Sequence, residues 1–198
     1  RPLGLRTALK PAPPLVEALD GVIELHLFDG GYAGLLMQED GSANLCLSAS
    51  RERLKSAGGI EPLVARLADE LPALAERLDS GGSSEWSAVS GVPYGWRAAT
   101  TAEGIYRVGD QAAVIASLAG DGIAIALDSG SAAARAIAGG VPASDFQRRW
   151  AERARRPVGL AELLRRSAEH GLARDAAMAL LGRFPALAPL AARLTRIG

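Results

Sequence analysis

Residues 105–134 begin Ile105-Tyr106-Arg107-Val108-Gly109-Asp110-Gln111-Ala112-Ala113, pass through Ser117-Leu118-Ala119-Gly120-Asp121-Gly122-Ile123, and end as an alanine-rich run to Ala134. The apolar run before Gly109 predicts a short strand that delivers the Asp110 carboxylate at its end, where it can accept a hydrogen bond from a ligand hydroxyl. Gly109 has no side chain, so a ligand or another backbone can come close. Ten residues later, Gly120-Asp121-Gly122 opens a long helix to about Ile137, stopped by Gly139-Gly140, with Asp121 as its cap. The first amides of that helix lack intrahelical partners, and together with the helix dipole they favour negative charge. Small residues Ala126, Ser129, Gly130 and Ala133 recur along it, so another element can pack closely. As a broken dinucleotide fingerprint, Gly120-x-Gly122-x-x-Ile125 fails, because the third small residue and the following strand with its acid are missing.

Upstream, the chain alternates as a sheet does. Val22 to Phe28 places Ile23, Leu25 and Leu27 on one face, expected to be the buried one, and Glu24, His26 and Phe28 on the other, where His26 pairs with Glu24. Asp29-Gly30-Gly31 and Asp40-Gly41 supply turns to strands Tyr32–Gln38 and Ala43–Ala49, giving a three-stranded antiparallel meander. Ser50 opens a helix ending at Gly58-Gly59, Ile60–Leu71 forms a second, and a shorter one reaches Leu78. Asp79 to Ser84 reads as loop, and Trp86 to Val92 as a strand with alternating burial. From Ser144 onward the pattern is helical: one helix around Trp150, one from Leu160 to His170, and short pieces split by Pro185 and Pro189. The sequence thus divides into 1–103, a substrate-domain-like sheet with helices; 104–140, the segment quoted above; and 141–198, a helical region.

Composition excludes several classes. Lys+Arg and Asp+Glu each total 22 in 198 residues, so no basic surplus serves a nucleic acid. A single cysteine, Cys46, and two histidines leave no metal centre and no internal disulfide. No apolar stretch is long enough for a transmembrane span. There are 39 alanines but aromatics are only 5%, which predicts a close-packed core with few large anchors. The arginines around Trp150 (Arg148, Arg149, Arg153, Arg155 and Arg156) read as a solvated helix face. The apolar stretch 176–197, with Arg183, Arg193 and Arg196, suits peripheral membrane contact or a helix lying on the sheet. Cys46, in an apolar strand, reads as an inert thiol.

Gly109-Asp110-Gln111-Ala112-Ala113, Leu118, Gly120-Asp121-Gly122-Ile123, Ala126-Leu127 and Ser129-Gly130 resemble the second flavin-binding motif of FAD-dependent oxidoreductases of the para-hydroxybenzoate-hydroxylase fold group, in its monooxygenase and geranylgeranyl-reductase-like branches. Gly31-Tyr32-Ala33-Gly34-Leu35, Asp40-Gly41 and Asn44-Leu45-Cys46-Leu47 are similar to that group's substrate-domain strands. The resemblance implies an α+β fold: an antiparallel substrate-domain sheet, a returning FAD-binding strand–loop–helix and C-terminal helices, with the N-terminal Rossmann unit not in these residues. It implies FAD binding through Gly109, Asp110, Gly120, Asp121, Gly122 and Ile123, with Asp110 on the ribityl chain and the amides of Gly122 and Ile123 at the pyrimidine edge of the ring. Tyr32, Leu36 and Cys46 are then candidates to line a substrate pocket. The implied full-length enzyme is cytoplasmic, takes electrons from NAD(P)H, and either hydroxylates an apolar or aromatic small molecule or reduces a carbon–carbon double bond. A non-catalytic binding module derived from the same fold is the other expectation, and this chain alone is expected to hold FAD weakly or not at all. The group's loop proline is Ser117 here, which predicts a looser turn; no side chain stands out as a catalytic acid or base.

Overall fold

The computed structural model describes residues 2–79, 81–83 and 85–197. They form two compact units, residues 1–92 with 168–174, and residues 93–167 with 175–198.

The first unit is a six-stranded antiparallel sheet with helices on one face. Its strands are β1 (Leu3–Pro11), β2 (Glu24–Phe28), β3 (Gly31–Met37), β4 (Ala43–Ala49), β5 (Gly81–Ser83) and β6 (Ser87–Ser90). The order is β2-β3-β4-β1-β5, with β6 beside β5 on the outer edge of β1, so Leu3–Arg6 pair with β6 and Leu9–Pro11 with β5. The meander is as expected, but its partner β1 was not: Leu3, Leu5, Thr7 and Leu9 alternate inward and bind β4 along its full length. Gly81–Ser83, expected as loop, is a short edge strand; Ser80 and Ser84 of that stretch lie outside the described residues. β6 is exposed along its length rather than alternating, as an edge strand with nothing laid over it.

Four helices cover one sheet face: α1 (Pro13–Ala18), α2 (Arg51–Ala57), α3 (Ile60–Glu70) and α4 (Pro72–Asp79). Ser50 caps α2 by accepting from the Arg53 amide at 3.1 Å, and Gly58 ends it in the left-handed conformation. Beneath them Leu15, Leu63, Leu67 and Leu74 meet Leu5, Leu9, Leu35, Leu45 and Leu47 in one core. The expected facing of β2 is inverted. Phe28 is buried and Glu24 reaches α4, whereas Leu25 is 48% exposed and Ile23 lies outside the strand. Alternation says which side chains share a face; the pairing of Leu27 with Tyr32 and Leu25 with Gly34 sends them to the side without helices.

In the second unit, residues 95–98 run antiparallel to 112–114 through a short bridge. Helix α5 (Gly122–Ala138) follows, then α6 (Ala143–Glu169), α7 (Gly171–Arg183) and α8 (Leu187–Thr195), except that residues 168–174, where α6 meets α7, belong to the first unit: the Glu169 carbonyl accepts from Gly30 N and Arg174 bonds Asp29, each at 2.9 Å. The two helices expected around Trp150 and after Leu160 are one. Pro157 deletes one internal hydrogen bond, but buried Ala154, Val158 and Ala161 hold the same face inward across it. Pro189 sits in the first turn of α8, where its missing N–H has no helical partner to lose. Trp150 is buried, Arg153 stacks over it and bonds Asp128 at 3.0 Å, and Arg148 and Arg155 pair along the helix with Asp145 and Glu152.

Candidate functional site

Val108 leads into Gly109 in extended conformation, but 105–108 form no strand. Side chains and turns take their polar groups instead: the Arg107 amide donates to Gln147 Oε1 at 3.1 Å, and the Ile105 carbonyl accepts from Thr101 Oγ1 at 2.8 Å. Gly109–Gln111 then make one 3-10 turn. Gly109 has φ +56, and a side chain there would lie 3.5 Å from Ala126 Cβ. Its N–H donates to Ser129 Oγ at 2.8 Å, and that hydroxyl donates to the Ala126 carbonyl at 3.2 Å. Glycine is favoured here by the left-handed backbone conformation, while the neighbouring Ala126 is at ordinary contact distance. The turn therefore sits on the first half of α5 and holds Asp110 exposed beside it, with no partner among the described residues.

The loop back to α5 is fixed along its length. Ala112, Ala113, Val114, Ile115 and Ala116 are buried, with Val114 and Ala112 bonded to the backbone of Trp96 and Ala98. Ser117 does not loosen the turn. Its hydroxyl lies 2.6 Å from Tyr94 Oη, and its carbonyl accepts from Gly120 N, with Gly120 in the left-handed conformation.

Asp121 occupies the N-cap position of α5 but does not cap it. Its Oδ2 accepts the Ile197 amide at 2.9 Å, a buried bond across 76 residues. Asp121 is thus a structural tether, and the expected side-chain cap is corrected: the carboxylate accepts a buried backbone amide instead of those of α5. Diverting it leaves the first α5 amides without a side-chain acceptor, and Ile125 is the first to bond within the helix, to Asp121 O. Gly122 is exposed and Ile123 is 78% exposed. Gly109, Asp110, Gly122 and Ile123 are therefore gathered on one structure, the Gly-Asp turn packed on α5, with Gly120 as the hinge of its approach. An exposed acceptor, uncapped amides and a glycine that admits close contact fit the ribityl and ring parts of a flavin.

Tyr32, Leu36 and Cys46 lie on the sheet face opposite the leucine core, where the register sets Tyr32 against Ser48, Gly34 against Cys46 and Leu36 against Asn44. Tyr32 is buried, while Leu36 and Cys46 are half-buried. Cys46 Sγ accepts from Asn44 Nδ2 at 3.1 Å, and Asn44 Oδ1 accepts from Arg6 Nε at 2.6 Å. On the covered face, Arg77 holds Glu24 through two bonds of 2.9 Å and lowers its pKa, against the smaller opposing effect of burial. His26 Nε2 stands 3.5 Å from Glu24 and makes no hydrogen bond, so that pair is an electrostatic contact on the core side. Sequence reasoning missed Arg6 on this face because β1 was not read as a strand. Among the described residues no group of His, Cys, Asp and Glu is placed to hold a metal ion.

In sequence the chain matches no family profile and no curated protein. In structure it is similar to a triple mutant of the flavin-dependent brominase Bmp2, with TM-score 0.64 and 14% identity, over 83% of this chain and 43% of the brominase. It is also similar to CmlS, a flavin-dependent halogenase, with TM-score 0.53 and 18% identity, over 82% of this chain and 30% of that enzyme. The chain shares with part of each of these two proteins an α+β fold, an antiparallel sheet followed by C-terminal helices. It spans less than half the length of either flavoenzyme.

Proposed function

We propose that this chain is the C-terminal portion of a cytoplasmic FAD-dependent oxidoreductase of the hydroxylase kind, acting on an apolar or aromatic small molecule with NAD(P)H as electron donor. The observation that carries the reading is the diverted Asp121 carboxylate, which leaves the α5 amides bare beside the turn that presents Asp110. When bound, FAD supplies the electron transfer from the nicotinamide to oxygen. Asp110 accepts a hydrogen bond from a ribityl hydroxyl. The amides at the start of α5 stabilise negative charge at the electron-rich edge of the ring, where the helix dipole adds to them. The sheet face opposite the leucine core, with Tyr32, Leu36 and Cys46, supports the substrate. The phosphates and adenine are left to a nucleotide-binding unit.

Halogenation stands as the second reaction, supported by the names of both structural neighbours. Product analysis with and without bromide separates the two. The flavin site itself is tested on the full-length protein by absorbance difference titration with FAD. Asp110→Ala is expected to weaken binding at least about tenfold, the scale of one lost charged hydrogen bond. Unchanged affinity removes Asp110 from the site.

A further inference from the structure

The stretch that delivers Asp110 lacks the neighbour a strand would have. Alternate residues of a strand give their amides to a flanking strand. Here the amides of Arg107 and Gly109 go to two side chains instead, Gln147 Oε1 of α6 at 3.1 Å and Ser129 Oγ of α5 at 2.8 Å. Ser129 holds the turn itself. Gln147 holds the chain two residues before it, from 40 residues away in sequence.

Gln147 is completely buried, and its Nε2 has no acceptor among the described residues. A buried, unpaired donor is destabilising, and an apolar side chain of similar size would carry no such penalty. What an apolar side chain could not do is accept the Arg107 amide. The start of α6 grips the same stretch a second time. Phe146 packs on the Tyr106 ring with centroids 5.5 Å apart, and Tyr106 Oη donates to the Val141 carbonyl just before α6 at 2.5 Å. Tyr106 and Arg107 are thus both fixed, while Asp110, three residues on, is exposed.

We infer that Gln147 is a positioning residue of the flavin site: its Oε1 sets where the 105–108 stretch lies and, through it, how Asp110 is presented to the ribityl chain. This rests on the flavin role proposed for Asp110 and adds a support from a different helix.

A double-variant cycle on the full-length protein tests it, read as FAD affinity by absorbance difference titration, with urea unfolding followed alongside. Gln147→Met keeps the length and volume of the side chain and removes the acceptor oxygen. It leaves the Arg107 amide unpaired but also removes the orphan Nε2, so the unfolding midpoint is expected to move little. FAD binding is expected to weaken about fivefold to tenfold. Asp110→Ala combined with Gln147→Met is expected to bind FAD no more weakly than Asp110→Ala alone, because both changes act through one hydrogen bond. Gln147→Glu, which retains an oxygen at the Oε1 position, is expected to recover most of the affinity. Should Gln147→Met not fold, Gln147→Asn, which withdraws the oxygen by one methylene, takes its place in the cycle. Unchanged affinity, losses that multiply in the double variant, or a loss accounted for by the unfolded fraction overturns the positioning role. Any of these alongside a retained Asp110→Ala effect removes that role alone. An Asp110→Ala variant that binds FAD as the parent does removes the flavin reading, and this inference with it.

Discussion

Beneath the sheet the core is leucine: Leu5, Leu9, Leu35, Leu45, Leu63 and Leu67 fill it from strands and helices alike. The core of the second unit is built on Ala112, Ala113, Ala116, Ala133, Ala154 and Ala161, with larger members that include Ile115, Ile125, Phe146, Trp150 and Ile197. The first arrangement gains stability from area, so it responds most to lost volume. The second draws backbones together and relies on specific bonds between side chain and backbone, such as Ser129 to Gly109 and Asp121 to Ile197. The flavin-facing turn belongs to the second kind. Its geometry is set by hydroxyls, carboxylates and the absence of side chains, and hydrophobic mass has a lesser part.

The contrast breaks most visibly at Leu45, which is 1% exposed at the centre of the leucine core. Leu45→Ala is expected to cost about 2–5 kcal/mol in urea unfolding of the first unit. A loss below about 1 kcal/mol would mean that the α3 layer collapses onto the gap and that the core is less well packed than it looks. Next in size is Ser129→Ala, which strips the acceptor from a part-buried Gly109 amide while removing almost no volume. It is expected to cost about 1–3 kcal/mol of stability and to weaken FAD binding through the turn it positions. Stability lost without any change in flavin affinity would separate the turn from the site.

Local patterns made the meander, α2, α3 and α5 legible, since turns such as Asp40-Gly41 and stops such as Gly58 act within a few residues. What escaped depends on partners far along the chain. The alternation Leu3, Leu5, Thr7, Leu9 has no hairpin turn linking it to the meander; only β4, some forty residues on, makes it central. The period of β2 gave the right two faces and the wrong inside, because Arg77 decides where Glu24 points. The helices expected around Trp150 and from Leu160 are continuous because Ala154, Val158 and Ala161 share one buried face across Pro157. At the site, Gly109, Asp110, Gly122 and Ile123 were readable as a motif. The role of Asp121 was not, since its partner is the Ile197 amide 76 residues away.

The smallest effect concerns acid. Glu24 and Glu162 both have pKa values lowered by arginine, Glu24 by Arg77 across the fold and Glu162 first by Arg165 and then by Arg166 on the same helix, with burial opposing in each case. A lowered folded pKa means that the stabilisation is complete above the ordinary carboxylate range and is lost as pH falls through the folded value. Each unit should therefore weaken on acidification, and Glu24→Gln or Glu162→Gln should flatten that part of its stability–pH curve. Partly exposed pairs contribute roughly 1 kcal/mol or less, so the change is modest. Glu162 is the more enclosed, its side chain 14% exposed against 27% for Glu24, and its variant should flatten the curve more. The unfolded chain complicates that order, because residues three and four apart on α6 remain near neighbours when the helix flickers, whereas Glu24 and Arg77 separate fully. If Glu24→Gln proves the larger, the long-range tie between sheet and α4 outweighs burial, and electrostatics would join leucine volume in holding the first unit together.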